Sequence, residues 1–435
     1  MTIAAASAAL GASKAVAQRP TVRQGIDRDR AAFVMRELAL DALVLTDRVN
    51  ILWATGITPV TEKMGVTGLN AVLIPRDPGA PIAMITPQFS YYYNMAETGL
   101  LEGVAPVLYT SPTLMADGVD RAVAADPIWF EPHEWAELTG RELARRDATL
   151  SASPFLASLK TALNQQLRSL GTGAVKLNVK LGADSPAAMQ TLAQIEGPVA
   201  RLVPDAVRHC RFVKSPREIA LMRRSSTANV KAAADAAQAM AELGTHEAVR
   251  RRFNSAAGAF GNEPRFLVLD GKIESGAESE FAEGRGVLLD AVSHYEGYHG
   301  DYGRTVFIGD PPRALAGRVA SVNTAWAQLR EELRPGMRFS QIRERGNTIL
   351  HAIDPRLSVP FNPHAVGLAH TEQPMTDLAS KPLDPVLEPG VILSVDMPIM
   401  HDDPEGTAHL EDLRLVTADG SEPIHADDAP YYVSA

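Results

Sequence analysis

Two aspartates interrupt an otherwise strand-like stretch, VLLDAVSHYEGYHGDYGRTVFIG, which spans Val287 to Gly309. Asp290 stands where another aliphatic residue would continue the run, and Asp301 follows 11 residues later, just before a second β-rich run from Arg304 to Ile308. A carboxylate within an apolar strand is costly to bury unless its charge is compensated. Three further segments carry the same kind of misfit. FNPHAVGLAHTEQP places His364 and His370 six residues apart, LEPGVILSVDMP ends an aliphatic run near Asp396, and HLEDLRLVT supplies Glu411 and Asp412. Strand alternation in the last segment puts Glu411 on the face of Leu413 and Leu415, pointing inward. Asp412 and Arg414 then share the opposite face, where they can pair.

Singly, each residue has an ordinary explanation. A strand aspartate commonly marks a turn or an edge, and an isolated histidine is more often a hydrogen-bonded polar residue than a ligand. Jointly, Asp290, Asp301, Asp396, Glu411 and His364 make four carboxylates and one imidazole projecting from strands or strand ends of one region. Four like charges cannot share a pocket without cations, because each raises the pKa of the others. Oxygen-rich donor sets with one nitrogen suit hard or borderline divalent ions. Bridging carboxylates hold two such ions about 3.5–4 Å apart, the arrangement that activates a shared water. Two divalent metal ions are therefore expected, manganese first, with cobalt, zinc or iron as alternatives.

The elements that must position these residues are legible from periodicity. The region around HCRFVKSPREIALMRRSS holds a capping box, with Ser215 as N-cap, Pro216 at the first helical position and Glu218 closing the box, and it opens a helix running to about Leu243. A second helix is expected over 314–333, with Leu315, Val319, Val322, Trp326 and Leu329 at helical spacing, and a third from Ser340 to about Ile353. Strands are expected at 287–293, 297–308, 391–397 and 409–417. Helices alternating with antiparallel strand pairs give an α+β catalytic domain over 208–435. Upstream, residues 26–207 read as α/β. A helix with Phe33, Val34 and Leu38 inward precedes strands at 42–46, 71–74, 82–85 and 128–130. The FSYYYN segment at 89–94 is aromatic surface, read as core or interface packing.

A chain of 435 residues exceeds one ordinary core, and 46% hydrophobic with 22% charged residues fits a globular protein. The net charge of −10 speaks against nucleic-acid or anionic-membrane partners, and no run of apolar residues is long enough for a transmembrane helix. The single cysteine, Cys210, precludes an intrachain disulfide and reads as a small core residue. Residues 1–25 form an Ala-rich leader with AVA before Gln18, like an export cleavage site, but without a basic start. Periplasmic export and a cytoplasmic location with an Ala-rich tail both stay open.

The catalytic region resembles the pita-bread metallopeptidases, the family of creatinase, aminopeptidase P and prolidase. HAVGLAHTEQP is similar to that family's HxxGxxxHExP, LEPGVILSVDMP to LxPGMVxTxEPG, and HLEDLRLVT to RxEDxxxVT, and the two aspartates share its spacing of 11. RFVKSPREIALMRRS resembles its entry helix. The resemblance implies an α/β N-terminal creatinase-like domain followed by an α+β pita-bread domain. It also implies metal ligation by Asp290, Asp301, His364, Asp396 and Glu411, with Asp301 and Glu411 as bridges. Asp396 would serve as general base, and His370 as a hydrogen-bond donor near the substrate carbonyl or leaving nitrogen. The implied reaction is metal-assisted hydrolysis of a peptide or amide bond in a small substrate of the Xaa-Pro type. A homodimer is implied, each N-terminal domain bordering its neighbour's site.

Several positions depart from the family pattern. Asp396 stands where the family has Glu, His409 where it has Arg, and Gly303 where it has Thr. A histidine some 17 residues before the first aspartate is missing. The metal set is nearly complete and the substrate side is altered. Metal-free C–N hydrolases like creatinase or ectoine hydrolase, metal-dependent lyases on the same fold, and chaperone-type binding modules are therefore the competing readings.

Overall fold

The computed structural model describes residues 24–110, 139–152, 155–170, 179–273, 280–400 and 404–435. Nearly all of the Ala-rich leader and the strand expected at 128–130 lie outside the described residues. Two sheets organise the rest. The first has β1 (Ala42–Leu45), β2 (Ala71–Pro75), β3 (Ile82–Pro87), β4 (Val104–Tyr109), β5 (Lys180–Ala183) and β6 (Val199–Leu202) in the order β4-β3-β2-β1-β5-β6. β1, β2 and β3 pair antiparallel, whereas β4, β5 and β6 join parallel, so the region is mixed rather than purely alternating. Its opening helix, Arg28–Glu37, buries Val34 as expected but leaves Phe33 52% exposed. Ala31, Ala32 and Met35 take the inward face with Val34, and Phe33 falls outside their stripe.

The second sheet contains β7 (Glu263–Leu269), β8 (Arg285–Tyr295), β9 (Tyr298–Ile308), β10 (Asn362–Ala365), β11 (Ile392–Asp396) and β12 (Leu410–Val416), in the order β10-β11-β12-β9-β8-β7. Two short strands, β13 (Ser421–Pro423) and β14 (Tyr432–Ser434), extend it against β12 and β9. β8 and β9, 11 residues each, form a hairpin around Glu296 and Gly297, both at positive φ, the backbone that a tight two-residue turn requires. Helices cover the sheet. Pro216–Gln238 starts with the expected Ser215–Glu218 capping box but stops at Ala239, and a short turn of helix, Met240–Leu243, follows. Arg313–Glu332 buries Leu315, Val319, Val322, Trp326 and Leu329, the five residues whose spacing announced it. The division expected at 207/208 falls inside helix Pro204–Arg211, which links the two regions.

One expected pair is absent. Asp412 does not meet Arg414 but accepts from Arg304 Nη2 at 2.7 Å and from Trp326 Nε1 at 2.8 Å. Arg414 instead donates to the Ser421 carbonyl at 2.8 Å. Residues two apart on a strand point the same way but stand well apart, whereas Arg304 and Trp326 are brought to Asp412 by a neighbouring strand and by the covering helix.

Candidate metal centre

The hairpin register fixes the first two acids. Asp290 lies opposite Gly303, and Asp301 opposite Val292, two residues from Asp290 on the same strand. Both aspartates therefore project from one face as diagonal neighbours. On the other side of β9, β12 brings Glu411 opposite Gly303, and β11 brings Asp396 opposite Glu411. His364 enters from β10, opposite Ser394. The polar residues of four distant segments thus meet on one curved surface.

His364 Nδ1 lies 3.2 Å from the His370 carbonyl. A carbonyl only accepts, so that nitrogen carries the proton, and Nε2 is left facing the acids. Nε2 stands 3.4 Å from Glu411 Oε1, 3.5 Å from Asp396 Oδ2 and 3.7 Å from Asp301 Oδ2. Ser394 Oγ donates to Glu411 Oε1 at 2.6 Å, and His409 Nε2 lies 3.3 Å from Glu411 Oε2. Three donor sets arise, each within 4.8 Å: Asp301, His364 and His370; His364, Asp396 and Glu411; and Asp290, His409 and Glu411.

Charge repulsion is visible in the protonation of these groups. Burial, then the neighbouring Glu411, Asp301 and Asp396, push Asp290 well above the ordinary carboxylate range. Burial and Glu411 push Asp396 up to about 6. Burial and Asp301 also work to raise Glu411, but hydrogen bonds from His364, His409 and Asp396 outweigh them and hold it down at about 2.

Divalent cations fit this donor set on a separate observation. Asp301 is 0% exposed, yet neither of its carboxylate oxygens has a hydrogen-bond partner among the described residues, and Asp290 Oδ1 is likewise buried without one. His370 Nε2 approaches Asp301 Oδ2 to 3.2 Å without the alignment of a hydrogen bond. Buried carboxylates are normally hydrogen-bonded or paired, or bind metal.

Residues 205–418 match metallopeptidase family M24. This domain belongs to metallopeptidase family M24. A protein named probable dipeptidase PepE from Mycobacterium bovis is 28% identical over 246 residues, covering 54% of this chain and 64% of its own length, so the matched part is less than two thirds of that relative. Among solved structures, dipeptidase PepE from Mycobacterium ulcerans aligns with a TM-score of 0.63 at 20% identity over 93% of this chain and 96% of its own. Xaa-Pro dipeptidase from Bacillus anthracis aligns with a TM-score of 0.64 at 17% identity, over 93% and 98%. At such identities the likeness concerns the fold, which is the pita-bread fold.

The M24 domain gathers all six residues singled out by sequence, Asp290, Asp301, His364, His370, Asp396 and Glu411, around one point. Glu372, Arg211 and Lys214 lie within the stretches that carry the resemblance, but the sequence had assigned them no role. Glu372, fully buried, takes Arg211 at 2.8 Å and Lys214 at 3.1 Å and accepts the Ala369 backbone N–H, which anchors the loop carrying His370. Arg211 also reaches Asn50 Oδ1 at 2.5 Å, and Asn50 donates to Asp184, so the first sheet region is tied to that loop. Helix entry residues and a loop acid 158 positions apart carry no local pattern that would pair them.

A cavity of about 610 Å³ opens beside the M24 centre, reaching His299 on β9 and Leu368 in the His370 loop. Its walls include Arg48, Lys63, Arg217 and Arg265, whose side chains make no hydrogen bond or ion pair with other described residues. Arg265 sits at an irregularity of β7, where Pro264 pairs with Ser293 and Phe266 with Val292. Such bulges re-aim side chains beside active sites. Phe266 meets the edge of the His370 ring, with centroids 5.3 Å apart. His299 donates its Nδ1–H to the Gly367 carbonyl at 3.0 Å, and burial pushes its pKa down to about 4, keeping it neutral.

Among the described residues, no helix is long and apolar enough to cross a membrane.

Proposed function

We propose that this chain is a metal-dependent peptidase of small peptides, Xaa-Pro-like in substrate, working with two divalent ions. The observation that carries the reading is Asp301, wholly buried with two unpartnered oxygens amid other acids. Asp290, Asp301, His364, Asp396 and Glu411 would hold the ions, manganese first and cobalt, zinc or iron as alternatives. Such ions supply Lewis acidity toward a carbonyl oxygen and an acidified water.

The chain's own groups then do the rest. Asp396, raised to about 6 and more open than Glu411, suits proton acceptance near neutral pH. His370 is partly exposed at the edge of the cluster and can donate Nε2–H to a substrate carbonyl or leaving nitrogen. The cation-walled cavity suits the carboxylate end of a short peptide, which would orient the scissile bond toward His370. A metal-free creatinase-like reaction is less well supported, since it leaves both buried Asp301 oxygens without a hydrogen-bond partner among the described residues. The names of similar proteins, dipeptidase and Xaa-Pro dipeptidase, agree with a small-peptide substrate.

Metal analysis of purified protein, followed by a screen of Xaa-Pro and other dipeptides, is the test. About two ions per chain and hydrolysis that is lost on chelation are expected, while active protein free of metal would overturn the reading. A homodimer is part of the same proposal, resting on the family resemblance, and light scattering of the active protein measures it.

A further inference from the structure

Two departures noted in the sequence prove to be one packing unit. A Cβ built on Gly303 would lie 2.1 Å from His409 Cδ2 and 2.5 Å from His409 Nε2, and 2.8 Å from Glu411 Cβ. No side chain at 303 can coexist with the His409 ring in its present place. Thr305 locks the other side of that strand segment, since its Oγ1 donates to the His409 carbonyl and accepts the His409 backbone N–H, both at 3.0 Å. The ring is buried and its Nε2 reaches Glu411 Oε2 at 3.3 Å. Glu411 therefore divides its oxygens: Oε1 faces His364 and Ser394, and Oε2 faces His409.

The same division separates the donors. His364, Asp396 and Glu411 form one set, and Asp290, His409 and Glu411 another, with Glu411 common to both. Each spans at most 4.8 Å, little more than two metal–donor bonds of about 2.0–2.2 Å on opposite sides of an ion would give. In the second set Asp290 Oδ1 is buried without a partner, as expected of an oxygen aimed at a ligand.

We propose that His409, seated by the missing side chain at Gly303, is a nitrogen donor to the second metal position, alongside Asp290 and Glu411. The inference rests on the metal reading above. It gives each ion an imidazole where the sequence had supplied only one, and makes the second position a mixed nitrogen–oxygen site. Imidazole suits zinc, cobalt and iron, whereas an all-oxygen site suits manganese and magnesium. The second position should therefore favour a borderline ion over manganese.

The test loads the full-length protein with zinc and counts imidazoles by X-ray absorption, alongside titration of the second ion into wild type, His409→Gln, His409→Asn and Gly303→Ala. Imidazole scattering lower by one histidine per chain in the His409 variants, with second-ion affinity about 10- to 100-fold weaker, is the expected result. Gly303→Ala retains the histidine but displaces its ring, and should lose the same scattering. If one variant fails to fold, the remaining ones carry the comparison. Unchanged scattering and affinity would overturn the proposal, leaving His409 to position Glu411 only. Wild type that binds no ion at all would overturn the metal reading itself, a result distinct from the first.

Discussion

Asp396 and Glu411 stand directly opposite each other on β11 and β12, two acids at a cross-strand pair. Like charges so placed are unfavourable, and the pair resolves the conflict by splitting: Asp396 rises to about 6 and Glu411 falls to about 2. Two carboxyls whose surroundings drive their pKa values apart mark an acid–base pair. Of this pair, Asp396 is the one that the proposed function takes as proton acceptor.

Asp396 already comes within 3.5 Å of His364 with its short side chain. Asp396→Glu therefore overcrowds the cluster instead of restoring reach, and should lower kcat about 10- to 100-fold, since displacements near 1 Å can cost that much. Steady-state kinetics at saturating metal measure it. Faster hydrolysis in the variant would show that the aspartate is too short.

Asp301→Asn should abolish hydrolysis and the thermal stabilisation that added divalent ions give. With ion at 100 times its Kd, wild type gains about 2.7 kcal/mol per site. The metal-free variant should melt at the wild-type temperature or above it, because one negative charge leaves a crowded set of acids and the Asp301 oxygens have no hydrogen bond to lose among the described residues. Differential scanning calorimetry with and without chelator reads both. An unfolded metal-free variant beside an active folded remainder would make Asp301 structural.

Glu372→Ala leaves Arg211 and Lys214 buried without their shared partner and should destabilise the protein by about 3–5 kcal/mol. Burial alone would raise the Glu372 pKa, but Arg211 and Lys214 outweigh it and the net shift is downward. The carboxylate therefore contributes stability above its unfolded value of about 4.3. That contribution disappears as pH falls through the lower folded value. Melting temperatures of wild type and Glu372→Gln should converge in that acidic window, and parallel curves throughout would count against the pairing.

Arg265→Ala should raise KM for dipeptides about tenfold with little change in kcat, because a side chain that holds the substrate's carboxylate equally in ground and transition states affects binding alone. Dipeptides with an amidated C-terminus should bind wild type and variant alike. An equal loss for both substrates would place the substrate carboxylate elsewhere.

Much of the centre was present in the sequence because strands and tight turns are local. The two-residue turn at Glu296 and Gly297 fixes which residues of β8 and β9 face each other, so a spacing of 11 already places Asp290 and Asp301 on one face. Alternation likewise sent Glu411 inward, and capping chemistry marked the start of the helix at Pro216. Tertiary structure decided the remainder: that Asp412 answers to Arg304 and Trp326, that Glu372 closes on Arg211 and Lys214, that Arg265 lines a cavity, and that Gly303 makes room for His409. These contacts join residues on different elements, where no period or spacing along the chain relates them. A glycine announces only freedom of its own backbone, and the side chain that fills the space it leaves is chosen by the strand packed against it.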